Sequence, residues 1–209
     1  MRGKLGRRLA VLLIAVSSVA MGAAVISPAG ANTYSYLFNY NVDATTHLKT
    51  LDQTIVIKGG SFSGGIDLTG SGVEAPLRGS IKLPDAHFTY RAAGILPLIN
   101  ATARIVPIKA VTGVLNLATV VVTATATFNI RIVNAYATGT TTNLVGDGCI
   151  TATPLSVTMS GPAAFGGPST FSGTFTMPPL KNCGLGTTAL NLVMPGPGNT
   201  FSAVATPKT

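Results

Sequence analysis

Apolar and polar residues take turns along almost the whole of this chain, and a period of two leaves few folds open. Tyr34, Tyr36, Phe38, Tyr40 and Val42 place an aromatic stripe on one side of an extended segment, with Thr33, Ser35, Asn39 and Asn41 on the other. Ile55 and Ile57 alternate next, Gly59-Gly60 reads as a turn, and Phe62, Ile66 and Leu68 follow, which predicts a hairpin. Leu77, Ile81 and Leu83 alternate with Arg78, Ser80 and Lys82 until Pro84-Asp85 stops the run, and Phe88 and Tyr90 begin another. The segment from Gly94 to Val106 is more continuously apolar and is interrupted by Pro97, so it reads as a doubly buried strand, an edge segment or an irregular crossing. From Val120 through Ile132 the alternation is longest, with Thr123, Thr125, Thr127, Asn129 and Arg131 on the opposite face. Leu155, Val157 and Met159, then Phe171, Phe175 and Met177, then Leu190, Leu192 and Met194, then Phe201 and Ala203 complete the set. About ten strands without a sustained helical period predict an all-β domain. It is an antiparallel β-sandwich or a closed β-barrel, because both use alternate inward and outward positions; the sandwich is the first choice.

The opening residues follow a different logic. Arg2, Lys4, Arg7 and Arg8 form a basic region, Leu9 to Val16 an apolar one, and Ala29-Gly30-Ala31 a small-residue cleavage site. This is the pattern of an export signal, residues 1–31, and it predicts a single all-β domain over 32–209 that is secreted, extracellular or associated with the cell wall. No later run reaches the ~18 to 20 apolar residues of a membrane-spanning helix. Four of the 14 basic residues lie in the signal, which leaves ten against six acidic ones and a formal charge of +4. The remaining basic residues are scattered and no aromatics interleave with them, so nucleic acid is not an expected partner.

Cys149 and Cys183 are the only cysteines. In an exported chain an even count predicts a disulfide. Closing a loop of this length stabilises the fold by roughly 3 to 4 kcal/mol on the chain-entropy estimate. A metal-binding or reactive thiol pair calls for a shorter spacing and nearby histidine.

Acid-base or metal chemistry has a small pool to draw on: His47, His87, Asp43, Asp52, Asp67, Glu74, Asp85 and Asp147. Asp85 and His87 are two apart and share a face if extended, which offers either two metal ligands or an acid-base pair; the plainer reading is a turn aspartate beside a surface histidine. Gly60-Ser61-Phe62-Ser63-Gly64 resembles a nucleophile elbow in outline but has phenylalanine where the serine must stand. The expectation is therefore no enzyme, no cofactor and no metal. The threonines at 123, 125 and 127 form either a hydroxyl array for a ligand or an ordinary solvent-facing row, and Phe165 among Gly161, Gly166 and Gly167 is either a binding tip or a side chain tucked into the core.

Several strings resemble those of a group of small secreted actinobacterial all-β proteins of uncharacterised function. They are Thr46-His47-Leu48-Lys49 with Gly59-Gly60-Ser61-Phe62, Ile105-Val106-Pro107 with Val111-Thr112-Gly113, Cys149 before Thr151-Ala152-Thr153-Pro154, and Gly196-Pro197-Gly198-Asn199-Thr200-Phe201. The resemblance implies export and carries no site residues with it. Outward positions rich in Thr, Ser, Asn and Ala suit contact with an envelope. The leading expectation is an exported, non-enzymatic β domain that binds an apolar or envelope-derived ligand, such as a lipid, or a cell-surface partner. The candidate ligand-binding residues are Tyr34, Tyr36, Phe38 and Tyr40, provided that a cavity lies behind them; otherwise the stripe is ordinary core. Alternatives are a pore-forming or integral β-barrel of an outer lipid layer and an unrecognised hydrolase.

Overall fold

A computed structural model describes residues 34–91 and 98–208; the expected signal segment and residues 92–97 of the ambiguous apolar stretch lie outside them. The strands are β1 (Tyr36–Leu48), β2 (Gln53–Ile66), β3 (Glu74–Lys82), β4 (Ala86–Arg91), β5 (Leu98–Pro107), β6 (Val111–Asn116), β7 (Val121–Ala137), β8 (Ile150–Thr151), β9 (Leu155–Pro162), β10 (Ser169–Met177), β11 (Leu180–Lys181) and β12 (Gly196–Pro207), with one α-helix, α1 (Thr187–Val193), preceded by a 3-10 turn at Gly184–Gly186, among the described residues. All the pairings are antiparallel.

Eight of these strands close on themselves in the order β7-β6-β3-β2-β1-β12-β10-β9, and β9 returns to β7 through a register that runs from Val121↔Pro162 to Phe128↔Leu155. The architecture is therefore a closed barrel, the second of the two arrangements that the alternation left open. Closure removes the sheet edges that a sandwich would leave. On β9, Leu155, Val157 and Met159 point inward and Ser156, Thr158 and Ser160 outward. Small residues allow the strands to come close: a Cβ on Gly161 would stand 2.0 Å from the Thr170 carbonyl oxygen, and one on Gly113 2.3 Å from that of Thr123.

The barrel strand β7 runs on past the ring and carries further strands of the same sheet. Its first half pairs with β6 and β9, while its second half pairs with β5, which carries β4, and Arg131 pairs with Ile150 of β8, which carries β11. Leu48, Ile55, Phe88, Phe128, Phe175 and Phe201 pack below the barrel and leave a residual void of about 50 Å³. Cys149 and Cys183 are bonded, their separation in sequence is 34, and both are fully buried. The bridge ties together the end of the β8–β11 pair where Cys149 precedes β8 and Cys183 follows β11.

Two local expectations change. Gly59-Gly60 is not a turn: β2 runs straight through it, and the register slips between Val42 and Ala44 of β1, which marks a bulge. Gly59 takes a φ of +80° and its N–H donates to Asp43 Oδ1 at 2.9 Å. A glycine free to enter the left-handed region serves a bulge as well as a turn, and the carboxylate receives the amide that the ladder releases. The β1–β2 reversal falls instead at residues 49–52, where Asp52 has a φ of +47°. The second change is at Leu190, Leu192 and Met194, which lie on or just after α1 rather than in a strand. Leu190 and Met194 are buried and Leu192 is exposed, so the apolar spacing that matters is four, not two.

Candidate functional site

The upper half of the barrel holds an apolar cavity of about 80 Å³. Its aromatic side comes from β1, where Tyr36, Phe38, Tyr40 and Val42 face inward in succession, and from Phe62 of β2 and Phe171 of β10. Phe38 packs on Phe62 with ring centroids 5.0 Å apart and on Tyr40 at 5.8 Å. Strand β7 lies four strands from β1 in either direction round the ring, and there Ala124 faces the cavity; Ala203 and Ala205 of β12 add further small surfaces. Val122 and Met159 line the space beside Ala124, and the interior stays incompletely filled, in a barrel whose strand number gives room for side chains or one small ligand.

Of the four aromatic residues singled out in the sequence, Tyr36, Phe38 and Tyr40 line this space. Tyr34 does not. It precedes β1, and its ring occupies the place where a side chain on Gly65 would stand. The polar atoms of the lining are few. Burial, followed by the neighbouring Tyr36 hydroxyl, pushes the Tyr40 phenol above its ordinary value, which keeps it a neutral donor. Ser169 is buried, and its Oγ accepts a hydrogen bond from the Ala164 amide at 2.9 Å.

The mouth is covered by the β9–β10 loop. Phe165 meets Tyr36 edge to face at 5.6 Å and lines the cavity, yet is 53% exposed. It is both a tip and a partial plug, because Gly166 next to it takes a φ of +81° and folds the loop back over the opening. Phe62, Phe171 and the alanines belong to the site but were not singled out in the sequence. Their inward parity was visible there, whereas their grouping round one space depends on strand order.

The titratable residues lie elsewhere. His47 sits at the β1–β2 reversal, 3.7 Å from Asp52 and 3.3 Å from Thr54 Oγ1. Asp85 accepts two hydrogen bonds from Arg104, at 2.8 and 2.7 Å, and that guanidinium holds its carboxyl below the usual carboxylate range. His87 shares a hydrogen bond with Thr102 at 3.0 Å. Among the described residues no three His, Cys, Asp or Glu side chains are grouped as a metal site would need. The threonines of β7 face outward and bond across the seam, Thr125 to Thr158 at 2.9 Å and Thr127 to Ser156 at 3.0 Å. An open polar depression on the β4–β5–β7 face is lined by His87, Thr89, Asn100, Thr102, Asn134 and Tyr136.

Comparisons with protein-family models, curated proteins and solved structures find no match for this chain.

Proposed function

We propose that this chain is an exported, non-enzymatic β-barrel that binds an apolar ligand in the upper half of its interior, beneath Phe165. The observation that carries this reading is the cavity itself: an aromatic wall, Val122, Ala124 and Met159 across the ring from it, two phenols as its main polar handles, and one loop aromatic over the mouth. Such a site takes a hydrophobic body with at most one or two hydrogen-bonding groups. As it stands the space is smaller than an engineered cavity of ~150 Å³ that holds benzene. A larger ligand therefore requires Phe165 to swing outward, and that movement is gating. Inward-apolar, outward-polar alternation also works against the pore-forming alternative, in which the lumen is polar and the outer band faces lipid.

Native mass spectrometry with lipid extraction, on protein from its own culture medium, tests the reading. A stoichiometric apolar molecule supports it, and Phe165→Ala should speed its exchange. Protein that carries nothing and takes up no apolar probe from buffer removes the proposal. The surface-partner reading has its own support in the polar depression beside Asn134 and Tyr136. It predicts capture of a partner that Tyr136→Ala abolishes and Phe165→Ala leaves intact.

A further inference from the structure

Around the barrel mouth, three separate loops bring apolar side chains into one arc. The Leu117 amide donates to the Val73 carbonyl at 2.7 Å, which sets the β6–β7 turn against the β2–β3 loop. The Ala163 amide donates to the Val120 carbonyl at 2.8 Å, which sets that same turn against the loop that carries Phe165. Val73, Leu117, Val120 and Phe165 are 62%, 43%, 40% and 53% exposed. These four residues thus stand on neighbouring loops at one end of the barrel, unlike single exposed residues scattered over a protein.

Val120 adds a second, independent observation. Its φ is +56°, a left-handed conformation that is a true outlier for a β-branched residue. Asparagine or glycine fits that position without strain, and the turn is already organised by Asn116, whose Oδ1 accepts from the Ala118 and Thr119 amides at 3.0 and 2.9 Å. The fold thus holds a strained valine, partly in water, at the rim of an apolar cavity.

We infer that this arc docks on a neutral lipid surface and turns the mouth of the barrel into it, so that an apolar ligand passes between lipid and cavity without crossing water. The inference rests on the cavity reading above. The chemistry favours a neutral surface: residues 117–120 and 163–168 carry no charged side chain, and the charges at this end, Asp67 after β2, Glu74 at the start of β3 and Lys208 after β12, are mixed in sign with carboxylates in the majority. Attachment then comes from apolar insertion and is insensitive to salt.

Flotation of the disulfide-bonded protein with phosphatidylcholine vesicles tests this. The wild type should float with them equally at low and high salt, and less well when phosphatidylglycerol is added. Leu117→Ser and Val120→Asn should each weaken flotation by about fivefold, the effect of exposing roughly half of such a side chain. Val120→Asn should at the same time raise the melting temperature, a combination that damage to the fold cannot produce. Neither residue lines the cavity, so uptake of an apolar probe from buffer should be unchanged in both variants. Absence of flotation, or flotation unaffected by both substitutions, overturns the docking surface. Concentration-dependent dimers that the same substitutions dissolve overturn it in favour of a second copy of the chain. Flotation without probe uptake leaves the surface standing and removes the cavity reading beneath it.

Discussion

Replacing Gly161 with alanine should unlock the barrel where it is drawn tightest. The added Cβ would lie 2.0 Å from the Thr170 carbonyl oxygen and about as near as 3.1 Å to the Phe171 Cα, so the β9–β10 pair has to part by more than 1 Å, the shortfall from ordinary van der Waals contact. Neither strand has a free side to move toward: β9 is held by β7 through Val122↔Gly161, and β10 by β12 through Thr170↔Val204. Overpacking of this kind costs about 1 to 3 kcal/mol, and each ladder hydrogen bond stretched beyond use adds about 1 kcal/mol. The lower chain entropy of alanine in the unfolded state returns roughly 0.5 to 1 kcal/mol. The net destabilisation is about 2 kcal/mol, or roughly 4 to 8 °C in Tm for a domain of this size. Urea unfolding followed by circular dichroism measures it, with Gly70→Ala as the control, since a Cβ there meets nothing within 4 Å. If Gly161→Ala and Gly70→Ala unfold at the same urea concentration with equal slopes, close approach does not constrain the seam and the argument fails.

Other side chains give equally definite expectations. Asn199 is fully buried; its Oδ1 accepts from the Lys49 amide at 2.9 Å and its Nδ2 donates to the Gly196 carbonyl at 2.8 Å, so Asn199→Ala should cost about 2 to 3 kcal/mol in chemical denaturation by stranding both partners. Changing Cys149 and Cys183 together to serine should remove about 4 kcal/mol for a sequence separation of 34, and the native protein denatured without reductant should titrate no thiol. The Asp85 carboxyl is held below its unfolded value by Arg104, so its contribution is complete above the unfolded value and disappears as pH falls through the lower folded one; Asp85→Asn should flatten the acid limb of a Tm-against-pH profile and leave its basic limb unchanged.

Parity was legible in the sequence along most strands, because each strand has one wet and one dry face and the side chains record it; it failed at Leu68, which is exposed beyond the end of β2, and at Leu192 on the helix. Met159 against Thr158, and Ala203 against Val204, fall on the sides that alternation assigns them. What alternation does not encode is which strands meet. The choice between sandwich and barrel lies in the β7–β9 pairing and in glycines such as Gly161, whose importance appears only with a neighbour beside them. Gly59 and Leu192 misled for the reverse reason, since a bulge glycine looks like a turn glycine and a seven-residue helix is too short to show its period. Of the site, the stripe Tyr36, Phe38 and Tyr40 was readable because it is local, while Phe62, Phe171, Ala124 and Phe165 join it only through the ring. Asn199 was hidden in a Pro-Gly-rich string that reads as a surface turn.

The pairing of β1 with β12 sets the timing of assembly. Thr46 Oγ1 donates to the Thr200 carbonyl across 154 positions of sequence, so the N-terminal strand is made long before its partner. Until residues 196–207 arrive, β1 and β10 each keep an unpaired edge, and the gap between them leads straight to the aromatic wall. A chain delivered from its N-terminus therefore waits open-sided, needing protection from aggregation while it waits. During that interval the way to the cavity is wider than the finished mouth, and the pairing of β12 with β1 and β10 is what closes it.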